Sequence, residues 1–174
     1  MPLSMSQASI PVFEVGLNAL SAVLDKAEAY AATKKFDPVV LLQMRLAPDM
    51  FNLTRQVQVA TDQARRGSAR LAGVEPAVFE DTETTLAQLK ARLAKTVAYL
   101  KTLDAKAIDA SADRDIVFPL GGGKTGQMKG ADYLNHFVLP NYYFHLTTAY
   151  DILRHCGVDI GKRDFIGAIA VKIL

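Results

Sequence analysis

Four long stretches of the chain carry apolar residues at helical spacing, and Pro or Gly residues separate them. They run approximately over residues 10–33, 47–66, 82–103 and 131–155. Apolar residues at i, i+3, i+4 and i+7 line one face of an α-helix, so each helix has a face to bury. Four such helices bury these faces most simply against one another. The sequence therefore predicts an all-α four-helix bundle, with residues 1–174 as a single domain.

Start and stop signals mark the predicted helices. Ser9 is placed to cap the first helix, and Pro11 falls in its first turn, where a missing N–H is tolerated. Pro48 is expected in the first turn of the second helix, with Asp49 near the positive end of the helix dipole. Gly157 is expected to end the last helix.

The connection between the third and fourth helices, residues 104–130, is long and rich in glycine. Its Ile116-Val-Phe118 run before a Gly-rich turn predicts a short strand or hairpin. The run Gly121-Gly-Gly-Lys-Thr125 resembles part of a phosphate-binding loop. That loop requires a glycine five positions before its Gly-Lys-Thr, and Phe118 occupies the position here. A glycine-rich turn is the better interpretation.

Composition excludes several classes of protein. Half of the 174 residues are apolar, 22% are charged, and the net charge is +2. Basic residues are dispersed; Arg65, Arg66 and Arg70 come closest to a patch and are interpreted as a solvated helix end. We therefore expect no nucleic-acid partner. No apolar run approaches the ~18 residues of a membrane span, and the single Cys156 cannot form an internal disulfide, so we expect a cytoplasmic protein without a membrane segment.

All three histidines lie in or at the end of the last predicted helix. His136, His145 and His155 are spaced nine and ten residues apart, which places His136 and His145 on opposite faces of a regular helix. Three-histidine coordination from this helix is therefore geometrically poor. Pro140 predicts a kink between the first two. The informative pair is Asn141 and His145, which are four residues apart and share a face.

The second predicted helix offers a complement to that pair. Asp49, Asn52 and Gln56 are spaced by three and four residues, so they form a polar line on one face. One interpretation is that this face meets solvent. The other places Asp49 or Gln56 opposite Asn141 and His145, as sites in bundle cores are built from facing helices. Asp49, Gln56, Asn141 and His145 could then hold a divalent metal completed by water, or form a hydrogen-bonded network.

Several runs resemble a known family. They are Arg45-Leu-Ala-Pro-Asp-Met50, Pro140-Asn-Tyr-Tyr-Phe-His145, Thr148-Ala-Tyr150, Leu153-Arg-His-Cys-Gly157 and Gly161-Lys-Arg-Asp-Phe165. Together the runs are similar to a domain-of-unknown-function family. That family is grouped with the DinB-like (YfiT-like) four-helix-bundle proteins, which are regarded as metalloenzymes. The resemblance covers essentially the whole chain and implies the bundle fold and dimerisation.

The resemblance also implies where a metal would be held. In the DinB-like superfamily, a histidine of helix two and two histidines four apart on the last helix bind a divalent metal, often nickel or zinc. Relatives with activity transfer small thiols or act in isomerisation. His145 matches the second histidine of the last-helix pair, while the first falls on Asn141. The second predicted helix contains no histidine, so two of the three expected ligands are absent.

Two functional hypotheses follow, and enzyme status stays open between them. The first is a metal-free or degenerate-site module that binds a small ligand or serves a structural role. The alternative is a divalent-metal-dependent enzyme of thiol-transferase or hydrolase type, holding nickel, zinc, iron or manganese at His145, Asn141, Asp49 and Gln56. A bound metal and its absence are equally compatible with the sequence. In both cases we expect a homodimer, with the apolar tail of residues 165–174 at its interface.

Overall fold

A bundle of four long helices forms the body of the computed structural model, which describes residues 3–169. Around the bundle axis, the order is α1, α4, α3, α7, since each contacts the next and α7 returns to α1. The helices are α1 (Ile10–Lys34), α2 (Val39–Leu42), α3 (Leu53–Ala72), α4 (Leu86–Leu100), α5 (Ala105–Asp109), α6 (Gly130–Asp132), α7 (Leu139–His155) and α8 (Lys162–Ile166). The predicted bundle is confirmed, but the fold is not purely α-helical, because one hairpin is present.

The bundle core is built from the apolar faces that the periodicity predicted. Helix α1 begins and ends within one residue of the predicted 10–33, with Pro11 in its first turn. Its buried face packs against α4 and α7. One contiguous cluster of buried side chains joins all four long helices. Between residues 3 and 169, no helix combines the length and the apolar character needed to cross a membrane.

The start of α3 corrects the predicted start of the second helix. The prediction of 47–66 is wrong by six residues at each end, since α3 begins at Leu53 and ends at Ala72. Asn52 is the N-cap: its side-chain oxygen accepts a hydrogen bond from Arg55 N at 3.0 Å, and its Nδ2 donates to Gln43 Oε1 at 2.9 Å. This capping arrangement overrides the weaker signal from Pro48 and Asp49, which lie in a turn before the helix.

The predicted hairpin is present as strands β1 (Asp115–Gly121) and β2 (Lys124–Lys129), paired antiparallel. Gly122 and Gly123 form the turn, both with positive φ, a conformation that favours glycine. The glycine-rich run is thus a turn, as predicted. On β1, Ile116 and Phe118 are buried while their neighbours are exposed. The Phe118 ring packs on those of Tyr133 and Phe137 and fixes the hairpin to the bundle.

A π-helical stretch, Tyr133–Val138, joins α6 to α7. The predicted last helix, 131–155, is thus helical throughout but not α-helical throughout. Pro140 lies in the first turn of α7 and cannot donate a backbone hydrogen bond to the preceding turn. The Nδ2 of Asn141 donates to the carbonyl oxygen of Phe137 at 2.7 Å. Gly157, with φ of 91°, follows the end of α7 as predicted.

Candidate functional site

His145 of α7 and Gln56 of α3 face each other inside the bundle. The Nδ1 atom of His145 lies 2.7 Å from Gln56 Oε1. At the other end of the same amide, Gln56 Nε2 donates to the carbonyl oxygen of Phe51 at 3.2 Å. Because an amide side chain has one donor end and one acceptor end, this second bond turns Oε1 toward the histidine. His145 therefore donates from Nδ1, and the neutral ring keeps its lone pair on Nε2.

His145 is held in its neutral form. Its side chain is 9% exposed. Burial, and secondarily the positive charge of Arg55, lowers the pKa of His145 from 6.5 to about 4. Within residues 3–169, Nε2 makes no hydrogen bond. At neutral pH this nitrogen can therefore accept a hydrogen bond from a ligand or bind a metal ion.

Two exposed phenylalanines and one arginine surround the histidine. Phe51 is 51% exposed, and its ring stacks on that of His145 with centroids 6.4 Å apart and planes 25° from parallel. The ring of Phe144, which is 55% exposed, is perpendicular to the imidazole, with centroids 5.1 Å apart. The guanidinium carbon of Arg55 lies 5.7 Å from the Phe51 ring centroid. A neutral acceptor nitrogen thus lies beside partly exposed aromatic surface and a cation.

The remaining predicted site residues lie outside this contact. Asn141 is half-buried one turn before His145, and its amide nitrogen is engaged with Phe137. Asp49 is exposed in the turn before α3 and is not on the helical face where the sequence placed it. The four predicted residues therefore divide into a contacting pair, Gln56 and His145, and two flanking residues.

The donor set fits a tightly held metal poorly. Nickel and zinc favour imidazole and thiolate ligands, and here one imidazole nitrogen is accompanied by two amides. Gln56 is engaged at both ends of its amide, and Asn141 at its nitrogen. Over the described part of the chain, no group of three or more His, Cys, Asp or Glu side chains is arranged to hold a metal ion.

A buried ion network lies next to the site on α3 and α4. Asp62 accepts from Arg65 at 2.6 Å and from Arg92 at 3.0 Å, and all three side chains are buried. Arg92 also pairs with Asp81 at 2.9 Å and Glu83 at 3.1 Å, which lie in the segment between α3 and α4. The interpretation of Arg65 as part of a solvated helix end is therefore wrong, since its side chain is 1% exposed.

The other two histidines lie on the surface. His136 is exposed in the π-helical stretch, with Nδ1 3.6 Å from Asp132, and His155 is exposed at the end of α7. Sequence reasoning selected His145 and Gln56 but missed Phe51, Arg55 and Phe144. Phe51 could have been found only by recognising Asn52 as the cap, because the capping position places Phe51 just outside the helix.

Comparison with known proteins shows which family the chain belongs to. Residues 5–166 match the family described as a domain of unknown function, DUF1993. The chain belongs to the DUF1993 family. It is also similar to a DinB family member protein from Shewanella denitrificans, with 43% sequence identity and a TM-score of 0.90. That match covers 97% of this chain and 95% of the other. Among curated proteins, none matches significantly.

Membership in DUF1993 and likeness to a DinB family member confirm the resemblance seen in the sequence. They show that the bundle, with its hairpin, has a DinB-like fold. The resemblance implies that Asn141 and His145 stand at the positions of its last-helix pair. Gln56 of α3 is the helix-two residue that contacts His145. In this chain an amide therefore faces His145 from α3, where the resemblance implied a histidine.

Proposed function

We propose that this DUF1993 protein is a metal-free module that binds a small planar organic ligand beside His145. The observation that carries the proposal is the bond from His145 Nδ1–H to Gln56 Oε1. It fixes the ring orientation and leaves Nε2 as an acceptor. The low pKa of His145, about 4, keeps that acceptor unprotonated at neutral pH.

The surroundings of His145 favour a ligand with an aromatic ring and a hydrogen-bond donor. Phe51 and Phe144 offer partly exposed ring surface on two sides of the imidazole. Aromatic rings associate with such surface through stacked or edge-on contacts. A hydroxyl or N–H group on the ligand would meet the Nε2 lone pair. Binding sites commonly combine apolar walls with a few placed polar atoms in this way.

Phenol is a suitable first probe, because it has one ring and one donor. We expect phenol to shift the side-chain ¹⁵N resonances of His145 in a saturable titration, and His145→Phe to weaken binding. His136→Ala is the matched control, since it removes an exposed histidine near the same helix. Unchanged His145 resonances with phenol, indole and imidazolidinone alike would count against the proposal.

One observation supports the alternative of a divalent-metal enzyme. Metal-binding histidines usually donate their second ring N–H to a carbonyl or carboxylate oxygen, as His145 does to Gln56. The test is elemental analysis of protein purified without chelator or metal affinity resin, beside His145→Ala. Near-stoichiometric nickel, zinc, iron or manganese that is lost in the variant would establish this alternative and justify thiol-transfer and hydrolase assays.

We also propose that the protein forms a homodimer. An apolar pocket of about 410 Å³ opens between α1, α7 and α8. Its lining includes the exposed side chains of Val15, Tyr143, Ile166 and Ile169. Of the tail expected at the interface, Phe165, Ile166 and Ile169 line this pocket, and residues 170–174 lie outside those described. Light scattering after size exclusion should give twice the chain mass, and Ile166→Glu should shift it toward the monomer.

A further inference from the structure

We propose that the ligand bound beside His145 is an aromatic carboxylate and that Arg55 is the residue that binds its carboxylate. This inference rests on the proposed function and names the ligand class for the same site. It starts from three neighbouring side chains. The Arg55 guanidinium carbon is 5.7 Å from the Phe51 ring centroid, which is 6.4 Å from the His145 ring centroid.

Arg55 has unused hydrogen-bonding capacity. Its Nη1 atom donates to Gln58 Oε1 at 3.2 Å and to Asp81 Oδ2. Its Nε and Nη2 atoms make no side-chain hydrogen bond with any residue from 3 to 169. The Arg55 side chain is 39% exposed, so a ligand can reach the free edge. The planar guanidinium matches the two oxygens of a carboxylate better than any other side chain does.

Asp81 is paired with the same guanidinium, and breaking this ion pair costs little free energy. Asp81 is 38% exposed and lies in the segment between α3 and α4, which has no helix or strand. Its other oxygen pairs with Arg92 Nη2 at 2.9 Å. Asp81 therefore keeps an ionic partner when a ligand carboxylate takes its place on Arg55. An exposed ion pair of this kind contributes little stability, so it is a weak competitor.

A carboxylate without an aromatic ring would contact Arg55 but not Phe51 or His145. Phe51 is close to both Arg55 and His145, and half of its surface is exposed to solvent. The His145 ring is neutral and therefore adds no charge attraction of its own. An aromatic carboxylate beside Phe51 would direct its carboxylate toward Arg55 and its ring toward His145. Ring and anion are both required by this arrangement.

The test compares benzoate with benzyl alcohol, which has the ring without the charge, by NMR titration of the His145 resonances. We expect benzoate to bind about tenfold more tightly, as for a charge-assisted contact. Arg55→Gln should remove that preference. Asp81→Asn should tighten benzoate binding severalfold and leave benzyl alcohol unchanged. Arg66→Gln, which removes an exposed charge from the same helix, should change neither.

The outcomes separate this inference from the proposed function. Equal affinity for benzoate and benzyl alcohol at His145, unaffected by Arg55→Gln, overturns the carboxylate assignment and leaves the ligand site standing. Benzoate that binds without shifting His145 also overturns it. Failure of every probe, phenol included, overturns both. Because Asp81→Asn predicts tighter binding, a general loss of structure in a variant cannot imitate the supporting result.

Discussion

Gly67 of α3 packs directly against the side chain of Val138, the last residue of the π-helical stretch. There is no room for a β-carbon between them. A Cβ built on Gly67 would overlap the Val138 side chain at both of its methyl groups. The absence of a side chain at Gly67 therefore sets how closely α3 approaches the segment that leads into α7. These same two helices carry Gln56 and His145.

Gly67→Ala should destabilise the protein by about 1–3 kcal/mol, because overpacking outweighs the gain in helix propensity. Denaturation in urea measures the change. Gly161→Ala is the matched control, since nothing lies within 4 Å of a Cβ at that position. Adding Val138→Ala to Gly67→Ala should recover part of the loss. Equal effects of Gly67→Ala and Gly161→Ala would contradict the packing argument.

Arg92→Met should cost about 3–5 kcal/mol of folding free energy, because it leaves the buried carboxylate of Asp62 with one partner fewer. Arg66→Met is the comparison. Arg66 pairs with the same Asp62 at 3.1 Å, but its side chain is 48% exposed, so its loss should change stability by no more than ~1 kcal/mol. Similar losses for both variants would show that burial does not set the strength of these pairs.

The protein should become less stable as pH decreases, because of His145. The unfolded state protonates this histidine below pH 6.5, while the folded state resists protonation until about pH 4. The unfolded state therefore binds more protons in that interval. As pH falls through it, the contribution of His145 to the free energy of unfolding decreases by up to about 3 kcal/mol. His145→Gln should lack this component. Parallel stability curves for the two proteins between pH 6.5 and 4 would refute the prediction.

Replacing the two amides with imidazoles should create metal binding. Gln56→His together with Asn141→His supplies the donor set that the DinB-like resemblance implies around His145. We expect the double variant to bind zinc or nickel at one equivalent in calorimetry, since three imidazoles form a catalytic-type zinc site. Adding His145→Ala should abolish that binding. A double variant that folds but binds no metal would show that the two helices do not bring these positions together.

The helices that sequence patterns located well are those whose ends carry unambiguous signals. Helix α1 begins beside Pro11, and α7 ends before Gly157. The start of α3 was misplaced because Pro48 and Asp49 imitate a helix start. The side chain of Asn52 bonds both Arg55 N and Gln43, and the second partner is in a different element. A contact between elements is not visible in a local pattern.

The candidate site was only partly predictable for the same reason. Helical spacing put Asn141 and His145 on one face and allowed Gln56 to oppose them. It could not show that Gln56 would bond His145, nor that Phe51 and Arg55 would flank it. The burial of Arg65 and Arg92 could not be predicted, because a charged residue is normally assigned to the surface. Only the surrounding carboxylates make their burial possible.

The π-helical stretch separates the residues that contact the hairpin from His145. Its residues advance by a wider turn than an α-helix, so it fixes the angle about the helix axis at which Tyr133 and Phe137 meet Phe118. Deleting one residue there would restore a regular helix. The hairpin would then swing around the axis while His145 kept its place against Gln56. The number of residues in this stretch therefore sets the orientation of the hairpin relative to His145.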